Sequence, residues 1–300
     1  MASLLKYPGR ERASQVRLST DVPETSWRFL ALATTAVVAV VTALNISFHA
    51  GRGFYTTVYA DTGHLVRPAL IAGLALLAVV FVAAGYAGLR PRDLGWHWSR
   101  AGGGLAATAA LFVAMQVIQV VVTVANGDQP QLSASWTGAG WATAMGALAG
   151  YALGIAPCEE TFFRGLLLRQ LGLKLSRLAP AVAVGAALVV SQSMFALYHV
   201  PGDVLGGSSG VGMAWPDIVL DLGRLFAIGM VFAALYLRTG NLLLVIGIHA
   251  LQDAGTTIVA APVDPGLVML SLATLTSLAT FIPVVAHRLH GISAAGRGHQ

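Results

Sequence analysis

The stretch Pro157–Arg164, PCEETFFR, puts two adjacent carboxylates and an arginine within about two helical turns of an otherwise apolar segment. Glu160 and Arg164 are four residues apart with the acid N-terminal, the favourable helical order for an ion pair. Glu159 is rotated by about 100° from Glu160 and points along a different line. The pattern therefore divides the labour: Glu160 neutralises Arg164, and Glu159 is left to face a cavity. A carboxylate without a counter-ion in a low dielectric suits general acid or base work. Two histidines lie further along. His199 ends the run SQSMFALYHVPG on the same face as Phe195, with Pro201 and Gly202 expected to stop the helix. His249 and Asp253, in NLLLVIGIHALQDAG, are four apart and stack on one face, so the aspartate can orient the imidazole or hydrogen-bond a substrate. Glutamate and histidine converging in lipid are the parts needed to activate water. Each group also has a plainer use: a buried ion pair fixing helix packing, an interfacial histidine, an inter-helix hydrogen bond. Ionisable groups inside a membrane are costly and generally functional, which favours the chemical use.

The elements that must hold these groups are membrane helices. The chain has 300 residues, 56% hydrophobic and only 10% charged, with mean hydropathy +0.73, against about 25% charged in an ordinary soluble domain. Much of its surface must therefore lie in lipid. The net charge of +5 falls at the ends of apolar segments, so it does not imply a nucleic-acid partner. The single cysteine, Cys158, allows no internal disulfide.

Continuously apolar segments recur at Phe29–Phe48, Pro68–Gly88, Ala101–Ala125, Trp141–Leu171, Pro180–His199, Ile218–Leu237, Leu242–Ala260 and Leu267–Leu289. They predict an all-α, polytopic membrane protein of about eight transmembrane helices rather than an alternating barrel. The expected organisation is a flexible basic cytosolic tail (1–26), one transmembrane domain (27–290) and a cytosolic tail (291–300). No small-x-small cleavage site follows the first apolar run, so that helix reads as uncleaved. Lys6, Arg10, Arg12, Arg17, Arg28, Arg90, Arg92, Arg100, Arg169, Lys174, Arg177, Arg238, Arg288 and Arg297 fall in alternate connections and tails, and the other connections hold only Arg52 and Arg67. Both termini are therefore expected in the cytosol, in a bacterial plasma membrane.

Within the fourth segment, Gly146, Gly150 and Gly154 form a smooth stripe that lets a neighbouring helix approach closely. Pro157 leaves the Leu153 carbonyl without its usual donor, so a kink or local opening is expected one turn before the carboxylates. Arg224, three residues after Asp221, reads as an interfacial ion pair. Gly207–Gly210 spells GSSG, a GxSG pattern, but in a glycine-rich loop rather than at the start of an apolar helix. Counting along straight helices places Glu159 and His249 near mid-depth and His199 about 10 Å further toward the outer face.

Three of these runs together resemble the CPBP family, the type II CAAX-prenyl endopeptidases and bacteriocin-processing membrane proteases. EETFFR is similar to its EExxxR motif, FALYH to FxxxH, and HALQD to HxxxN/D in the aspartate variant, in the family's order. The motif-bearing core covers 141–260, and LRPRDLGW before the third helix resembles the family's lead-in. The resemblance implies an intramembrane endopeptidase acting on a membrane-associated, CAAX-like prenylated or other, peptide or protein. Glu159 and His199 would activate water, His249 and Asp253 would stabilise the oxyanion, and Glu160 and Arg164 would support them. Because an ionised Asp253 would repel an oxyanion, it would carry a proton or serve to orient His249. No HExxH-like spacing demands a metal, so no cofactor is expected; the alternative is a zinc held by Glu159, His199 and His249. The other class of reading is a non-catalytic membrane protein or a proton-coupled transporter using the same intramembrane groups.

Overall fold

A computed structural model describes residues 22–138, 140–206 and 212–279. The predicted GxSG pattern at 207–210 lies outside the described residues. Helices α1 (Trp27–Ala50), α2 (Arg52–Asp61), α3 (Pro68–Tyr86), α4 (Ala101–Ala125) and α5 (Gly140–Lys174) come first. They are followed by α6 (Pro180–Leu197), α7 (Val200–Leu205), α8 (Trp215–Thr239), α9 (Leu242–Ala254) and α10 (Pro265–Ala279). Six helical stretches are long and apolar enough to cross a membrane: α1, α3, α4 with its lead-in turn, α5, α6 continued by α7, and α8. The chain is thus an all-α polytopic membrane protein.

Within the described residues, all eight predicted apolar segments lie on helices, and two differ in extent from the prediction. Helix α9 ends at Ala254 rather than Ala260, because Gly255 takes a left-handed conformation at φ 55°; at 13 residues it is about 20 Å long, too short to span alone. Helix α10 is described to Ala279, and the rest of the eighth segment lies outside the described residues. The two short helices α2 and α7 carry no signal of their own in the sequence. Residues 22–26, expected as part of a loose tail, are docked: Thr25 donates through its amide to Gln170 Oε1 at 2.8 Å, Gln170 Nε2 donates to Pro23 O, and Lys174 reaches the Thr25 carbonyl.

Helix α5 is the central element. Residues 156–172 are buried without a break, whereas α1, α4 and α8 leave Leu32, Val113, Val117, Val121, Val219 and Leu220 exposed on the outside of the bundle. The glycine stripe does what its spacing predicts. A Cβ on Gly146 would collide with the His64 carbonyl, one on Gly154 would lie 2.9 Å from Ala69 O and 3.0 Å from Leu70 Cα, and one on Gly73 of α3 would run into the Gly154 backbone. Helix α3 therefore lies directly on α5. The expected opening beside Pro157 takes the form of two π segments, Gly150–Ile155 and Thr161–Leu168, flanking the α-helical turn Ala156–Glu160. Widened turns of this kind are frequent at functional sites.

Hydrogen bonds tie alternate helix ends into two faces. On one, Arg169 Nη1 donates to Asp93 O at 2.8 Å, Arg100 reaches the Gly240 carbonyl, and Lys174 bonds the segment before α1. This face carries Arg28, Arg90, Arg92, Arg100, Arg169, Lys174, Arg177 and Arg238 against Glu24 and Asp93. On the other, Trp136 Nε1 donates to Thr257 O, Gln119 Nε2 to Val263 O, and Asn45 sits against Gly202. Asp61, Asp128, Asp203, Asp217, Asp221, Asp253 and Asp264 lie toward it, with Arg67 and Arg224. Arg224 is paired with Asp221 at 2.7 Å, as its spacing predicts. The protein has a basic face and an acidic face.

Candidate active site

Helix α5 presents Glu159 and Glu160 from the α-helical turn between its π segments, where both side chains are buried. The ion pair expected from the i,i+4 spacing is formed: Arg164 Nη1 donates to Glu160 Oε1 at 3.0 Å. Arg164 is fully buried and makes two further contacts that the sequence does not show. Its Nη2 donates to the Gly229 carbonyl of α8 at 3.1 Å, and its guanidinium stacks 4.5 Å from the Phe195 ring centroid. Gly229 is required for this approach, since a Cβ there would lie 2.7 Å from Gln192 Oε1 and 3.4 Å from Arg164 Nη2. Gln192 and Ser191 are buried polar neighbours that sequence reading missed; a glutamine and a serine in an apolar helix were the available signal.

Glu160 also meets a second helix, with His249 Nδ1 2.7 Å from the same Oε1. It thus holds the arginine on one side and the α9 imidazole on the other, a wider role than neutralising Arg164. Removing its charge strands a buried guanidinium, and breaking a buried pair from one side typically costs about 3–5 kcal/mol. Glu160→Gln is therefore expected to lower the yield of folded protein, read as the monodisperse fraction after extraction from membranes. A normally folded Glu160→Gln protein with only its turnover reduced would contradict this assignment.

Glu159 lies between two histidines, with Oε1 3.8 Å from His199 Nε2 and Oε2 3.7 Å from His249 Nε2. The 10 Å offset expected for His199 is therefore absent. The two π segments of α5 and the break at Tyr198–His199 absorb it. Helix α6 ends at Leu197, and Pro201, instead of stopping the chain, lies in the first turn of the short helix α7. The turn swings the imidazole back along α6 so that Nδ1 lies 2.9 Å from the Phe195 carbonyl. A carbonyl only accepts, so Nδ1 is the donor, and Nε2 is the ring atom that faces Glu159.

His249 is held differently. Its Nδ1 faces Glu160, and its Nε2 lies 3.2 Å from Asp253 Oδ2. A neutral imidazole has one N–H and one lone pair, and a lone pair facing a carboxylate oxygen is repulsive. A proton must therefore be shared along Glu160–His249–Asp253, on the ring or on a carboxyl group. With that proton on the ring, Nε2–H lies 3.2 Å from Asp253 Oδ2 and 3.7 Å from Glu159 Oε2.

The six residues singled out in the sequence meet on α5, α6 and α9. The groups with access to the outside are His199 and Asp253, whose side chains are 26% and 27% exposed at the α6 and α9 ends on the acidic face. Glu160 and Arg164 are at 0%. Toward the basic face the site is sealed by the turn before α4. Leu94 lies against Gly165, and Trp96 Nε1 donates to Thr161 Oγ1 at 3.0 Å. The exposed members of the site therefore lie toward the acidic face. Glu159 Oε2 is buried with no protein hydrogen-bond partner, which leaves it able to hold a water. Among the described residues, no three His, Cys, Asp or Glu side chains converge as a metal site.

Residues 141–255 match the model of the type II CAAX prenyl endopeptidase Rce1-like family. This segment belongs to that family. The match spans the parts of α5, α6 and α9 that carry the six residues, and ends just past Asp253. Several apolar helices make the chain an integral multi-pass membrane protein, and the match over 141–255 supports a segment of the CAAX-type intramembrane protease class. No curated protein and no solved structure matches the chain.

Proposed function

We propose that the protein is an intramembrane endopeptidase that cleaves a membrane-associated peptide with a water activated by Glu159 and His199. The observation that carries this reading is the buried Glu159 carboxylate flanked by two imidazole Nε2 atoms at 3.8 and 3.7 Å. A water on Glu159 gives up a proton to the Glu159–His199 pair as its oxygen attacks the peptide carbonyl carbon. The carbonyl oxygen gains the negative charge and is met by Nε2–H of His249. The proton taken from water then passes to the leaving nitrogen, the C–N bond breaks, and a carboxylic acid and an amine result. Glu160 and Arg164 do not touch the reacting atoms; they hold His249 and α5 in place. The substrate is a CAAX-like prenylated peptide or another peptide anchored in the bilayer.

The chemistry requires no Lewis acid. Activity is expected to survive prolonged chelation, with zinc well below one per chain in active protein. Loss on chelation with recovery on adding zinc back would contradict it.

The charge asymmetry supports an orientation with the basic face and both termini in the cytosol. The substrate then enters from the extracytoplasmic side. In sealed cells, a cysteine introduced at Asp217 is expected to react with an impermeant maleimide while one introduced at Arg92 does not. The reverse pattern would contradict the orientation.

A further inference from the structure

On the acidic face, where His199 and Asp253 are partly exposed, two connections pair as short strands. Leu132, between α4 and α5, forms an antiparallel bridge with Val259, between α9 and α10. Ser133 N donates to Ile258 O and Ala260 N to Gln131 O, both at 2.8 Å. The residues on either side of Leu132 therefore bond inward, which turns its own N–H and C=O to the opposite edge. The strand pair is fixed to the helices on its other side. The Ile258 and Val259 amides donate to Gln116 Oε1 of α4 at 2.8 and 3.4 Å, and Trp136 Nε1 donates to Thr257 O at 2.7 Å. The Leu132 edge is open. Among the described residues its amide and carbonyl have no hydrogen-bond partner, and residues 124–132 are exposed throughout.

An open backbone edge is a template for another extended chain, and the chemistry supplies one. A peptide carbonyl inside a helix is engaged by the amide four residues on, so a substrate must be drawn out of helix before water can attack it. Only Ala254–Thr257 separate Ile258 from Asp253, which lies 3.2 Å from His249 Nε2. The strand pair is thus held within about 18 Å of Asp253. We propose that the Leu132 edge binds the substrate by strand addition, holding an extended stretch of it near the scissile bond through backbone hydrogen bonds. The proposal rests on the protease reading above. In this mode the main chain supplies the affinity, and the amides that face the edge recur at every second residue.

The test uses Glu159→Gln protein in nanodiscs and a set of fluorescent lipid-anchored peptides, each N-methylated at one backbone amide. The expected result has a period of two. Over a short stretch, methylation at alternate positions should weaken binding about three- to tenfold, and at the positions between by less than about twofold. Adding Leu132→Pro removes the outward donor but none of the bonds of Ser133 and Ala260, and should weaken the unmethylated peptide by a similar factor. Adding Leu132→Cys should give a disulfide with a cysteine placed in the methylation-sensitive stretch, since side chains opposite one another on paired strands lie about 5 Å apart. Binding without a period of two overturns the proposal, whether or not the Leu132 variants fold. So does unchanged binding by folded Leu132→Pro, or a failure of Leu132→Cys to cross-link to the peptide. Leu132→Cys that links only to a second copy of the protein also overturns it and makes the edge a contact between copies. Cleavage of the unmethylated peptide by the unsubstituted protein is scored separately. Failure to cleave with the period intact counts against the protease reading, whereas cleavage without a period counts against strand addition alone.

Discussion

Replacing Glu159 by glutamine is expected to lower turnover by about 10²–10⁴-fold, the usual contribution of a positioned acid–base group, while leaving folded protein in the membrane. Glutamine keeps the size and the hydrogen-bonding capacity of the side chain but accepts no proton as a base. The fold should tolerate it because Glu159, unlike Glu160, holds no arginine: its neighbours are the two Nε2 atoms at 3.8 and 3.7 Å. Glu159→Gln and Glu160→Gln thus separate chemistry from folding at adjacent positions. A loss below about tenfold in Glu159→Gln would remove it from the base role.

His249→Ala is expected to reduce kcat by about 10²–10³-fold, the range seen when one oxyanion donor is removed. KM should change far less, because the oxyanion exists only in the transition state. Its partner gives a finer test. Asp253→Asn keeps a hydrogen-bonding group 3.2 Å from Nε2 and removes the negative charge, so most activity should remain, whereas Asp253→Ala should lose it. A folded but inactive Asp253→Asn would show that the carboxylate itself is needed.

The helices and the charged constellation were legible in the sequence because both follow short-range rules. Apolar runs longer than a bilayer's width predict helices, and i,i+4 spacing predicts that Glu160 meets Arg164 and that His249 lies near Asp253. The glycine stripe predicted a close neighbour without naming α3. What depends on long-range geometry was not legible. Depth counted along straight helices put His199 about 10 Å from Glu159, because the π segments and the Tyr198–His199 turn leave no mark beyond Pro157 and Pro201. The Glu160–His249 contact joins residues 89 apart, and no local pattern encodes it. Arg67 counted in the sequence only as one of two cations in the sparsely charged connections, and the fold places it beside Tyr59.

The central claim is that Glu159 activates water for peptide hydrolysis. The most direct test is mass spectrometry of products after the purified, reconstituted protein is incubated with membrane-anchored peptides in water enriched in ¹⁸O, beside a Glu159→Ala control. The account predicts two new fragments from one internal cut, one ¹⁸O atom in the new carboxylate, and no fragments with Glu159→Ala. Uncleaved peptides together with ion-gradient-dependent uptake in the same proteoliposomes, or equal cleavage by Glu159→Ala, would contradict it.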